Sequence, residues 1–146
     1  MKVAGAMIVV LALVVGIVPQ FTACHAQGLV LKLANGNTAE MKCFWTAMAS
    51  IALAVPLVVS GILLAFSKHR ETRRMVSVLG ATLGAGVILL PTALIGVCAN
   101  PAHLCNMIMR PTMLLTGSLI ALTSLIVLAT QFRREEPQYD LRPTGA

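Results

Sequence analysis

Four long apolar runs divide this chain, near residues 3–19, 44–66, 75–97 and 112–132, and none contains Asp, Glu, Lys, Arg or His. Polar stretches at 20–43, 67–74 and 98–111 separate them. A charge-free apolar run of roughly 18 residues or more reads as a membrane-spanning helix, because a helix rises about 1.5 Å per residue and the hydrocarbon core is about 30 Å thick. The first run only just suffices. The expected fold is therefore all-α, an integral membrane four-helix bundle in a single domain over residues 1–132. Residues 133–146 form a polar tail with two prolines, expected to be disordered. Pro56 in the second run and Pro91 in the outer third of the third predict kinks. Small residues four apart, at Gly80 and Gly84 with Gly86 following, allow close backbone approach. That stripe suits packing inside the bundle, or docking of a partner helix or a second copy. Thr116, Ser118, Thr123 and Ser124 are expected to bond their own helix backbone.

Composition agrees: the 146 residues are 58% hydrophobic and only 11% charged, with mean hydropathy +0.87, where a soluble domain carries about 25% charged residues. The basic residues set the orientation. Lys2, Lys68, Arg70, Arg73, Arg74, Arg133, Arg134 and Arg142 fall on one side, and Lys32, Lys42 and Arg110 on the other. The positive-inside rule places the richer side, and with it both termini, in the cytoplasm. The net charge of +6 thus serves topology and headgroup contact. No aromatic-interleaved basic patch accompanies it, so nucleic acid is not an expected partner. Trp45 stands at the outer boundary, where it would anchor the second helix among the headgroups. Residues 1–23 also admit a signal-peptide reading, with Phe21-Thr22-Ala23-Cys24 near the cleavage point. The apolar core exceeds the usual 7–15 residues or so, which favours a retained helix. Cleavage would leave the remaining topology unchanged.

All four cysteines, Cys24, Cys43, Cys98 and Cys105, fall on or beside the outer face. An even number on the oxidising side implies two disulfides, with three possible pairings. Pairing within loops, Cys24–Cys43 and Cys98–Cys105, needs no tertiary information and is favoured; either crossed pairing would tie the first helix pair to the second. Closing a loop of about 20 residues is worth roughly 3 kcal/mol in the chain-entropy model. Asn100-Pro101 would turn the second outer loop, and Asn35-Gly36 the first, after a short strand over 28–33.

Two sharper chemistries compete with this staple. A thiol oxidoreductase of the vitamin K epoxide reductase type would carry Cys-x-x-Cys, which is absent here, and nothing marks a lowered thiol pKa. A metal site could draw on His25, His103, Met107 and Met109, with Met41 and the cysteines nearby, since soft sulfur and imidazole suit copper(I) or zinc. The short Cys/His spacings of metal motifs are missing. No cofactor is expected. The spans lack the ionisable residues that ion paths place at mid-depth. No catalytic carboxylate pair, Ser–His–Asp set or phosphate loop assembles on the outer face, where Glu40 is the only acid.

Two longer motifs carry a resemblance. Met41-Lys42-Cys43-Phe44-Trp45-Thr46 ahead of a membrane helix, and residues 91–101 (PTALIGVCANP) followed by Cys105, resemble a small bacterial membrane family catalogued as domain of unknown function 4418. The likeness covers most of the chain, from about Cys24 to the end of the fourth helix. It implies four helices and outward cysteines, and a gene neighbourhood with ABC exporters whose permeases are of the MacB/FtsX type. Where that pattern often has His between the Cys and the Trp, this chain has Phe44, which weakens a metal role for the first motif.

Two functions follow as expectations. The first is a non-enzymatic subunit of the bacterial plasma membrane, in contact with the lipid bilayer, that meets a membrane-protein partner such as an exporter or forms a homo-oligomer. The second is an outer-face metal-binding or thiol-redox protein.

Overall fold

In the computed structural model, residues 2–23, 28, 31–32, 35–39, 42–67, 69–97 and 102–133 are described. The elements run α1 (Lys2–Thr22), β1 (Leu31–Lys32), β2 (Thr38–Ala39), α2 (Lys42–Phe66), α3 (Arg70–Leu89) and α4 (Arg110–Arg133). A π-helical turn, Leu90–Leu94, extends α3, and another, Cys105–Met109, leads into α4. With these turns the four helical segments measure 21, 25, 25 and 29 residues, and all are long and apolar enough to cross a membrane. This is the architecture of a multi-pass membrane protein.

The helices pack as two hairpins, α1 on α2 and α3 on α4, which meet through α2–α3 and α1–α4 contacts. One core cluster draws a residue from each helix: Ile8, Leu64, Val76 and Val127. It lies where α1 and α3 begin and α2 and α4 end, here called the basic end. A larger cluster toward the opposite, cysteine end holds Val15, Leu57, Val87, Met113 and Ile120 together with Cys43, Cys105 and Met109. Large apolar side chains such as Leu13, Val55, Leu79 and Leu122 point outward, while Thr46, Ser50, Ser60, Ser77 and Ser124 are buried. In water this arrangement would be costly; in lipid it puts the bulk against acyl chains and the small residues between helices.

Glycines let the backbones touch. A Cβ on Gly5 would lie 2.7 Å from the Gly61 carbonyl oxygen, and one on Gly84 2.9 Å from the Ala121 nitrogen. Gly117 closes the same contact from α4, its absent Cβ 3.0 Å from the Gly84 oxygen. Gly80 faces Ser124, whose Oγ is 2.7 Å from the missing Cβ position. Gly86 differs: a Cβ there would meet only Leu53, at an ordinary 3.5 Å. The Gly80/Gly84 stripe is thus filled by α4 of the same chain.

Helix ends depart from the hydropathy pattern. α1 continues through the buried Pro19 to Thr22, since a proline removes a single ladder bond and membrane helices tolerate that loss. α3 starts at Arg70 because Arg and Glu are good helix formers, although they lie outside the apolar run. Residues 95–97 are not helical. Pro91 has no N–H, its ring crowds the preceding turn, and the helix widens there into the π turn. Gly96, at φ 83, ends it; its N–H and that of Ile95 both reach the Leu90 carbonyl, at 3.1 and 3.2 Å. The fourth helical segment begins at Cys105 rather than 112, shortening the connection between α3 and α4. α2 runs unbroken through Pro56. Between α1 and α2, Leu31 pairs with Ala39 and Lys32 with Thr38, around a turn in which Gly36 takes φ 79. This two-residue ladder is the only β-structure among the described residues. The tail 134–146 lies outside them.

These contacts separate three glycines that look alike in sequence. Gly84→Leu is expected to destabilise the bundle by about 2 kcal/mol or more through overpacking. Gly86→Ala is expected to stay within about 0.5 kcal/mol of the parent. Reversible unfolding in mixed micelles, followed by helical circular dichroism, measures both.

Candidate functional site at the cysteine end

The cysteine end is where chemistry-bearing side chains gather. Cys43 and Thr46 are one turn apart on α2 and face inward, both with 0% exposure. Across the bundle, Cys105 and Met109 face inward from the π turn, with Met113 a turn further along α4. The two cysteines and two methionines belong to one apolar cluster. Among the described residues no disulfide is formed, so Cys43 is not joined to Cys105. Cys24 and Cys98 lie outside the described residues.

Hydrogen bonds fix this end. The Thr46 hydroxyl donates to the Gly96 carbonyl at 2.8 Å, tying α2 to the segment that leaves α3. Gln20 Nε2 donates to the Ala47 carbonyl at 2.8 Å, tying α1 to the same turn of α2. Both π turns precede or contain a Pro-Thr pair. Thr92 Oγ1 donates to Ile88 O at 2.8 Å and Thr112 Oγ1 to Ile108 O at 2.7 Å. Each hydroxyl thus supplies a donor in the turn where Pro91 or Pro111 lacks an N–H. The Arg110 N–H reaches back to Cys105 O, the wide spacing of a π turn.

Of the candidate ligands His25, His103, Met107 and Met109, the last three are described. Met109 is fully buried, but Met107 is 64% exposed, because residues two apart on a helix point to nearly opposite sides. His103 is half-buried, and its carbonyl accepts the N–H groups of Asn106 and Met107 at 2.9 and 3.1 Å. His25 and Met41 lie outside the described residues, as do Glu40, Asn100 and Pro101. Among the described residues no group of three or more His, Cys, Asp or Glu could hold a metal ion.

Several contributors were missed in sequence. Thr46 and Gln20 act through backbone carbonyls that no motif marks. Pro111 lay outside the predicted span, which hid the repeated Pro-Thr pair. Thr116, Ser118 and Thr123 do bond their own helix, at 2.7–2.8 Å. Ser124 does not: its buried Oγ has no hydrogen-bond partner and lies against Gly80, 2.7 Å from where a Cβ would stand. At the basic end, Arg73 Nε and Nη2 both donate to Ser67 O, at 2.9 and 2.7 Å, joining α3 to the end of α2. The Arg74 guanidinium lies 4.3 Å from the Phe132 ring centroid, joining α3 to α4. Trp45, at the start of α2, is exposed and meets Phe44 edge-on, with ring centroids 5.7 Å apart.

The Thr46 tie can be isolated. Thr46→Val keeps shape but leaves the Gly96 carbonyl without this donor, at an expected cost of about 1 kcal/mol. Thr46→Ser should recover most of it. Faster amide exchange of Ile95 and Gly96 in the valine variant would locate the loss at the α3 exit.

No curated protein and no solved structure matches the chain. One family model does, over residues 4–130, which takes in nearly all of the four helices and both loops at the cysteine end. The chain belongs to the family described as a domain of unknown function, DUF4418.

Proposed function

We propose that this protein is a non-enzymatic, multi-pass subunit of the bacterial plasma membrane that docks on a membrane-protein partner. An ABC exporter with a MacB/FtsX-type permease is the leading candidate for that partner. One observation carries the reading. Among the described residues, the buried polar side chains are hydroxyls and Gln131, and no charged side chain is buried with them. Ion and proton paths need charged or relay groups at mid-depth, so the work of such a bundle falls to its surfaces. The excess of basic residues at one end supports cytoplasmic termini, and with them an extracytoplasmic cysteine end. There, disulfides Cys24–Cys43 and Cys98–Cys105 would stiffen the two outer loops as a docking cap. The Gly80/Gly84 face is taken by α4, so a partner would meet the cap or another helix surface, and a second copy of the chain is the simplest other occupant.

A second reading rests on a different observation, the gathering of Cys43, Cys105 and Met109 in one buried cluster. In the reduced state, thiolate and thioether together would suit a soft metal ion such as copper(I), or thiol redox exchange at the outer face.

Purification of the tagged protein at native level in gentle detergent should bring down a permease and its ATPase in fixed ratio. A chain that elutes alone, or only with itself, would remove the exporter reading. Non-reducing peptide mapping is expected to find the two within-loop disulfides. Reduced thiols with a bound soft metal would instead establish the second reading.

A further inference from the structure

The basic end carries a cleft that the docking reading does not use. It lies where α2 gives way to α3, has a volume of about 470 Å³, and is lined by Ile62, Leu63, Phe66, Ser67, His69 and Thr72. Its composition changes with depth. Ile62, Leu63 and Phe66 form an apolar wall along the last turns of α2, and Phe66 is 80% exposed. Ser67, His69 and Thr72 form a polar rim at the helix exit, the level of the lipid headgroups.

The charge around that rim is one-sided. Among the described residues, Lys2, Arg70, Arg73, Arg74 and Arg133 lie at this end against a single acid, Glu71. Arg74 is committed to the Phe132 ring. Arg73 is held beside the cleft by its two bonds to the carbonyl of Ser67, a lining residue. A guanidinium has five N–H donors, so three remain for a ligand in a fixed fork geometry, the geometry that recognises phosphate oxygens. An apolar wall at acyl-chain depth, hydroxyl and imidazole groups at headgroup depth and a net cationic rim are the complement of one kind of molecule.

We propose that this cleft is a binding site for an anionic phospholipid. One acyl chain lies along Ile62, Leu63 and Phe66, and the phosphate is met by Arg73, with His69, Arg70 and Thr72 around it. Basic pockets between membrane helices are a recognised means of selecting anionic headgroups. The site is independent of any protein partner and of which leaflet the basic end occupies.

Native mass spectrometry of the purified full-length chain tests this, with phosphatidylglycerol and phosphatidylcholine of matched acyl chains offered in equal amounts. A single retained phosphatidylglycerol is expected to exceed phosphatidylcholine by about fivefold or more, with the ratio falling as ionic strength rises. Thr72→Trp fills the cleft without changing charge and should bring the ratio close to one. The pair His69→Ala and Arg70→Gln should lower it while leaving the cleft open. The pair Lys42→Gln and Arg110→Gln, at the opposite end, should leave it unchanged; helical circular dichroism confirms folding in each case. Equal retention of both lipids by the parent would overturn the proposal. So would a preference that survives Thr72→Trp, or that is lost equally in the opposite-end pair. A dimer whose formation expels the lipid would show that a second copy covers the cleft, and would overturn it too.

Discussion

Lipid offers apolar helices no reason to leave it for one another, so this bundle depends on how closely its backbones can approach. Two contacts set that approach. Gly5 meets Gly61 between α1 and α2, and Gly84 meets Gly117 between α3 and α4. At each, the carbonyl oxygen of one glycine occupies space that the other's Cβ would need. Close backbones bring many atom pairs to their dispersion minimum, each small and together decisive. They also leave room for the buried Ser124 hydroxyl against Gly80. The rest of the arrangement follows. Glycines line the closest contacts, branched residues such as Leu57, Val87 and Ile120 fill the space between helices while others turn outward to lipid, and most interior hydroxyls satisfy themselves on their own helix.

Much of this was legible in the chain. Four charge-free runs of sufficient length leave little choice of architecture, since the backbone must satisfy its own hydrogen bonds in hydrocarbon. The helix ends were less legible, because hydropathy records which residues tolerate lipid and not where the backbone ladder stops. Arg70 to Arg74 are helical outside the apolar run, and Pro91 ends α-helical geometry inside one. The glycines show a similar limit. Gly80 and Gly84 announce themselves by spacing, but spacing names neither the partner helix nor the exception at Gly86. Gly5, Gly61 and Gly117 stand apart in sequence, and only the fold reveals that they meet neighbours.

The candidate site was legible as a region more than as a set. The cysteine pattern drew attention to one end of the bundle, where Cys43, Cys105 and Met109 belong to one buried cluster. Spacing could not tell Met107 from Met109, two residues apart in sequence yet facing apart. What organises this end instead is the pair of prolines. Each widens a helix by a turn, and the threonine after each donates to the wall of that turn. Without a structure, Pro91 reads as a kink and Pro111 as part of a loop.

Among the described residues, the side-chain hydrogen bonds and ring contact that join one helix to another lie at the two ends, and this constrains how the molecule can work. Gln20 and Thr46 tie α1, α2 and the exit of α3 at the cysteine end. Arg73 and Arg74 tie α2, α3 and α4 at the basic end. The interior between them is dominated by short-range apolar and small-residue packing, which resists separation of the helices far more than a small slide along their axes. Displacement of whole helices is then a direct way for one end of the bundle to act on the other. α2 is the member best placed to carry it. It bears Cys43 and Thr46 at one end and the carbonyl held by Arg73 just past the other, so a shift at the cysteine end would act on the turn at Ser67.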